Sequence, residues 1–90
     1  MANLRSSMKR VRSSRRRAAQ NQVVRSAART YVKRARRLIA EGNLDEAEGV
    51  IWQAVSALDK AAQKGVVHRN NAARRKSRLL KLYNQAKQEA

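Results

Sequence analysis

Proline is absent from the 90-residue chain, and glycine occurs only at Gly42, Gly49 and Gly65. A backbone with so few breakers has few places to turn. Sixteen alanines, with abundant Arg, Lys, Gln and Leu, fill the uninterrupted stretches with good helix formers. Neither alternating β-branched runs nor hairpin turns occur, so nothing suggests strands. The chain therefore reads as all-α.

Periodicity divides it into three helices. Val24, Ala27, Ala28, Tyr31, Ala35, Leu38 and Ile39 fall on one helical face. Arg25, Arg29, Lys33 and Arg36 occupy a neighbouring stripe. Leu4, Met8 and Val11 continue the apolar spacing upstream, but the stripe thins at Arg15 and Ala18. One long helix is expected over about residues 4 to 40. A second, over about 44 to 63, begins with Asn43 as a cap, Glu46 completing a capping box, and acids in its first turns. Its apolar face is Leu44, Ala47, Ile51, Ala54, Val55, Leu58 and Ala62, and Gly65 ends it. A third, over about 68 to 87, starts with either Asn70 or Asn71 as cap and buries Ala72, Leu79, Tyr83 and Ala86. Leu80 and Leu82 widen that face, while Arg74, Arg78 and Lys81 lie opposite.

Short connections favour antiparallel neighbours, giving a three-helix bundle in a single domain spanning residues 1–90. At 1.5 Å per residue the first helix is roughly 55 Å long and the others roughly 30 Å. About half of the first helix must then overhang the bundle, over about residues 1–20. Leu, Ile and Val contribute only 17 residues and Phe none, a balance usually associated with disorder. The two observations are reconciled if the bundle folds and the free overhang frays.

Charge narrows the function. Twenty-two basic and six acidic residues leave a net +16. Residues 1–40 carry thirteen basic side chains and no acid, residues 41–63 carry one and five, and residues 64–90 carry eight and one. Solvated faces normally mix signs. This segregation leaves the second helix acidic and gives the first and third a shared basic surface that calls for an external polyanion, nucleic acid before anionic lipid.

Other classes find little support. The chain has no cysteine and one histidine, so thiolate metal sites and disulfides are excluded. Asp45 and Glu48 share a helix face, but their position at a helix start already accounts for them. No phosphate-cradling glycine loop is present. Neither an enzyme nor a cofactor is expected. MANLRSSMKR lacks the apolar core of a secretory signal, and no apolar run approaches a membrane span. A cytoplasmic protein without membrane contact is expected.

The mode of binding also narrows. The aromatic residues are Tyr31, Trp52 and Tyr83. Both tyrosines lie on apolar faces, and ideal spacing places Trp52 about 120° from the centre of its helix's apolar face, a position suited to packing at the rim. No stacking platform for single strands is visible, so recognition is expected through phosphate and shape. Composition leaves RNA and DNA equivalent. Leu44, Ile51 and Leu58 recur every seven residues behind a basic helix, so a basic-zipper or nucleoid-type DNA-binding protein is the alternative. The Gly42–Asn43 interruption and the alanines at alternate seam positions favour the bundle.

The stretch KGVVHRNNAARRKSR, residues 64–78, concentrates polar donors at a helix start. His68 fits equally well as an interhelical histidine or as an anion contact. Lys76 lies on the apolar side, where its stem is expected to pack and its amine to reach outward.

Several segments together resemble the bacterial small-subunit ribosomal protein S-twenty family. They are the MAN start with Ser6, Ser7, Lys9 and Arg10; SAARTYVKR at 26–34; EGNLDEAE at 41–48; and AVSALDKAAQKGVVHRNNAARRKSRL at 54–79. The resemblance covers nearly the whole chain. It implies a three-helix bundle whose long first helix penetrates ribosomal RNA, and early binding to 16S ribosomal RNA that helps its 5′ domain fold. It further implies contact with the long penultimate RNA helix, few protein contacts and a monomer within the ribosome. Carried onto this chain, it implies RNA contacts at Ser6, Lys9, Arg10, Arg29, Lys33, His68, Asn70, Arg74, Lys76, Ser77 and Arg78. Charge alone adds Arg12, Arg15, Arg16, Arg17, Arg25, Arg69 and Arg75. Trp52 and the Arg15–Arg17 triplet depart from the family pattern.

Overall fold

The computed structural model describes residues 2–89 and contains three helices: α1 (Ala2–Ala40), α2 (Leu44–Gln63) and α3 (Arg69–Glu89). Against the ranges read from the sequence, α1 begins two residues earlier, and α3 begins one residue later and ends two residues further on. The part of the expected overhang at residues 1–3 lies outside what is described of the side chains.

Both reversals depend on a glycine in left-handed conformation. Gly42 has φ 78° and Gly65 has φ 74°. At the first turn, the Gly42 N–H donates to the Ile39 carbonyl at 3.1 Å and the Asn43 N–H to the Leu38 carbonyl at 2.9 Å. At the second, the Gly65 N–H donates to Ala62 at 3.0 Å and the Val66 N–H to Ala61 at 2.9 Å. Both are Schellman motifs, which satisfy carbonyls that a helix end leaves orphaned.

The helix starts differ from expectation. Asn43 makes no side-chain capping bond, so the capping box with Glu46 does not form; the Asn43 carbonyl accepts from Ala47 N–H at 3.0 Å instead. With φ −88° and ψ 70°, Asn43 departs from the β-region geometry usual at an N-cap. At α3 the cap is His68, not an asparagine. Its Nδ1 accepts from the Asn70 N–H at 3.1 Å, and its carbonyl accepts from Asn71 and Ala72. Asn70 and Asn71 lie inside the helix.

The core is narrow. Its buried apolar members are Ala28, Ala35, Ile39, Ala47, Ile51, Ala54, Leu58, Ala61, Ala72 and Leu79. Alanines dominate, so the helices meet with little side-chain bulk between them. Ile39, Ile51 and Leu79 form one cluster with Ala35, Ala47 and Ala54, flanked by Tyr31, Val32 and Tyr83. Ala28, Leu58 and Ala72 form a second, nearer the base of the overhang. Ile51 and Leu58, two members of the heptad seam a zipper would need, are therefore consumed inside the bundle, and Leu44 is half-buried. Helix α2 lies between the others in packing: α1 rests mainly on α2, and α3 touches α1 over a smaller area.

Residues 4–20 of α1 are exposed, including Leu4, Met8 and Val11. Asn21 is the first half-buried residue and Ala28 the first buried one. The molecule measures 68 × 21 × 14 Å with a radius of gyration of 17.9 Å. A compact chain of this length has a radius near 12 Å. The excess comes from the free half of α1.

Candidate nucleic-acid interface

Near the point where α1 leaves the bundle, the loop from α2 to α3 comes back alongside it. Arg25 and Arg29 of α1, Val66 and Val67 of the loop, the capping residue His68, and Asn71 and Arg75 of α3 line one depression of about 280 Å³. Three guanidinium groups from two helices thus share a concave surface. Arg25 and Arg29 stand one turn apart on α1, and the Gly65 turn sets the approach of α3. Guanidinium forks on a concave surface suit phosphate oxygens, which they can hold bidentately.

His68 belongs to this depression and is exposed. Because its Nδ1 accepts the Asn70 N–H, the proton of the neutral ring is on Nε2, leaving that nitrogen as a donor. The histidine therefore caps α3 and presents one N–H at the depression; it is not an interhelical core residue.

A second shallow surface follows the overhang. Ser6, Lys9, Arg10, Ser13, Ser14 and Arg17 line one face, and Arg5, Met8, Lys9 and Arg12 line another. Ser13 and Ser14 were not among the expected contacts. Their hydroxyls sit between the cations at helical spacing, a signal available in the RVRSSRRR run. Arg15 and Arg16 are exposed on the same segment. Cations at i and i+4, such as Arg12 and Arg16, repel one another along a helix by a few tenths of a kcal/mol per pair.

The remaining expected contacts are dispersed. Lys33 is exposed two turns beyond Arg25 on α1, and Arg69, Asn70, Arg74 and Arg78 are exposed along α3. Ser77 faces away from the depression, beside Leu80, Lys81, Asn84 and Gln85. Lys76 is half-buried, as its place on the apolar side implies, and has a partner that the sequence did not indicate. Its Nζ donates to Asp59 Oδ1 at 2.7 Å, joining α3 to α2. The two side chains remain 31% and 55% exposed, so this pair contributes only about 0.5 kcal/mol. Lys76 lies on the apolar side of α3, but periodicity does not identify Asp59 as its partner, so the pairing was not readable beforehand. A further ion pair among the described residues, Arg37 with Glu41 at 3.3 Å, lies within one turn at the end of α1.

Trp52 also departs from expectation. It is 64% exposed instead of packed at a rim, and faces an open groove between α1 and α2. Among the described residues no cluster of His, Cys, Asp and Glu could hold a metal ion, and no helix is long and apolar enough to cross a membrane.

Comparison with known proteins gives a consistent result. Residues 2–84 match the family model described as Ribosomal protein S20. The small ribosomal subunit protein bS20 of Thermomicrobium roseum is 51% identical over 84 residues, covering 93% of this chain and 85% of that protein. The bS20 proteins of Coprothermobacter proteolyticus and Heliobacterium modesticaldum are 48% and 45% identical. These alignments cover 94% and 96% of this chain, and 97% and 98% of the respective relatives. The family is one of structural ribosomal proteins and not of enzymes. The chain belongs to the ribosomal protein S20 family, whose members are proteins of the small ribosomal subunit.

Proposed function

We propose that this protein binds 16S ribosomal RNA directly and stabilises the folding of its 5′ domain during subunit assembly. It does so as a single-domain, ribosome-bound monomer of the cytoplasm, with few protein contacts. The observation that carries this reading is the depression of Arg25, Arg29, His68 and Arg75 at the base of an overhang rich in arginine and free of acids. The overhang is long enough to run between RNA helices, and the depression anchors one end of it. Arginines and lysines there replace condensed counterions where backbones crowd together, offsetting repulsion that would open the RNA fold. Polar and cationic groups aimed at phosphate fix register and orientation, so selectivity follows from RNA shape.

Replacing Arg29 and Arg75 together by alanine tests the reading. Both are removed from the depression without touching the enclosed core. Two lost phosphate contacts should lower the slope of log affinity against log salt by about 1.5. Affinity for the folded 5′ domain should fall at least about tenfold, with circular dichroism unchanged. An unaltered slope and affinity would contradict the assignment of the depression to RNA.

A further inference from the structure

On the side of α1 opposite the arginine depression lies an apolar groove of about 520 Å³. Val23, Val24 and Ala27 of α1 form one wall, Trp52 and Ala57 of α2 the other, and Lys60 and Lys64 stand toward the overhang. Val23 is 68% and Trp52 64% exposed, so this is a contiguous apolar surface left open. Gln53 and Ser56 add an amide and a hydroxyl to the same groove.

The surroundings point to one class of occupant. At 100° per residue, Arg5, Lys9, Arg12 and Arg16 fall within about 60° of Ala27 on α1. One cationic stripe of the overhang therefore leads toward this groove. The antiparallel pairing of α1 with α2 sets Lys64 and Lys60 next along that path, with Trp52 beyond them. From Arg16 to Tyr31, which also lines the groove beside Trp52, is about 22 Å along the helix. Glu48 and Asp45 lie one and two turns beyond Trp52, so the anion-attracting track ends at the indole. A track of cations ending at an exposed aromatic plane suits a polyanion carrying planar rings.

We propose that the groove receives an unstacked nucleobase of the RNA, laid against the Trp52 indole, with flanking phosphates held by Lys60 and Lys64. The inference rests on the RNA-binding reading above and adds a base-contacting site to what is otherwise a phosphate interface. Gln53 and Ser56 supply hydrogen-bonding groups at the base edge. Stacking of this kind accepts any base face, so the site tolerates sequence variation while requiring an unpaired nucleotide.

Trp52 is the chain's only tryptophan, which makes its fluorescence a direct reporter. The full chain is titrated with end-labelled 5′-domain RNA of 16S ribosomal RNA, following RNA anisotropy and indole emission together, with acrylamide access measured at both ends. The expected result is quenching that tracks binding, several-fold protection from acrylamide, and an affinity about tenfold weaker for Trp52→Leu. Trp52→Phe, which keeps an aromatic face, should recover most of that loss. Binding with the indole still open to acrylamide overturns the stacking site and leaves the RNA assignment intact. Absence of binding overturns both. Protection that grows with protein concentration without RNA identifies a second copy in the groove, and also overturns the proposal.

Discussion

Leu58 is fully enclosed among Ala28, Ala72 and their neighbours, at the junction of all three helices. Most other members of the core are alanines, so this side chain contributes a large share of the apolar burial on the overhang side. Leu58→Ala should cost about 2–5 kcal/mol, a large fraction of what so small a core provides. Chemical denaturation should show this as a lower midpoint with an unchanged slope, and an unchanged midpoint would mean the face is not buried. Gly65 presents a different kind of constraint. A Cβ there would meet nothing within 4 Å, but φ is 74°. Gly65→Ala should therefore cost about 1 kcal/mol through backbone strain alone. The same measurement checks it, and a stability gain would mean that the turn relaxes to another conformation. Leu58 and Gly65 were both legible from the sequence, through period and through turn chemistry. The caps were not. Asn43 and Asn70 have cap-forming side chains, yet selection among neighbouring polar residues depends on how the chain enters the helix, which tertiary packing sets. The His68 cap and the Lys76–Asp59 bond belong to the same class of detail.

Among the elements, α1 shows how far local pattern reaches. A continuous helix from Ala2 to Ala40 follows from the absence of breakers, and the exposure of residues 4–20 follows from its excess length over α2 and α3. What the pattern could not reveal was which cations meet. Arg25, Arg29 and Arg75 come together because the Gly65 turn returns the chain beside α1, a relation between distant residues that no period encodes. The exposure of Trp52 was missed for a related reason: α1 opposes it with Val23 and Ala27, residues too small to close the groove. The overhang itself makes a prediction. Its like charges repel along the helix, and no neighbouring element buries it. Removing residues 1–20 should leave the denaturation midpoint of the bundle nearly unchanged while weakening RNA binding by several orders of magnitude at moderate salt. Undiminished binding would remove the overhang from the interface.

At the scale of the whole molecule, a 68 Å long shape with a net charge of +16 is poorly suited to standing alone and well suited to filling space between polyanionic helices. The acids are concentrated on α2 and its approaches, so charge is polarised across the bundle. That asymmetry was readable from the sequence; the arginine depression on one side of α1 and the apolar groove on the other required the fold. The central claim is that RNA shape, and not charge alone, is recognised. The most direct measurement is a titration of the full chain against the folded 16S 5′ domain, a scrambled RNA of equal length and duplex DNA, each at several salt concentrations. The account predicts that the 5′ domain binds tightest by orders of magnitude and keeps its lead as salt rises, because geometric fit outlasts screening. Equal affinities that weaken together would contradict it, and would identify a generic polyanion binder.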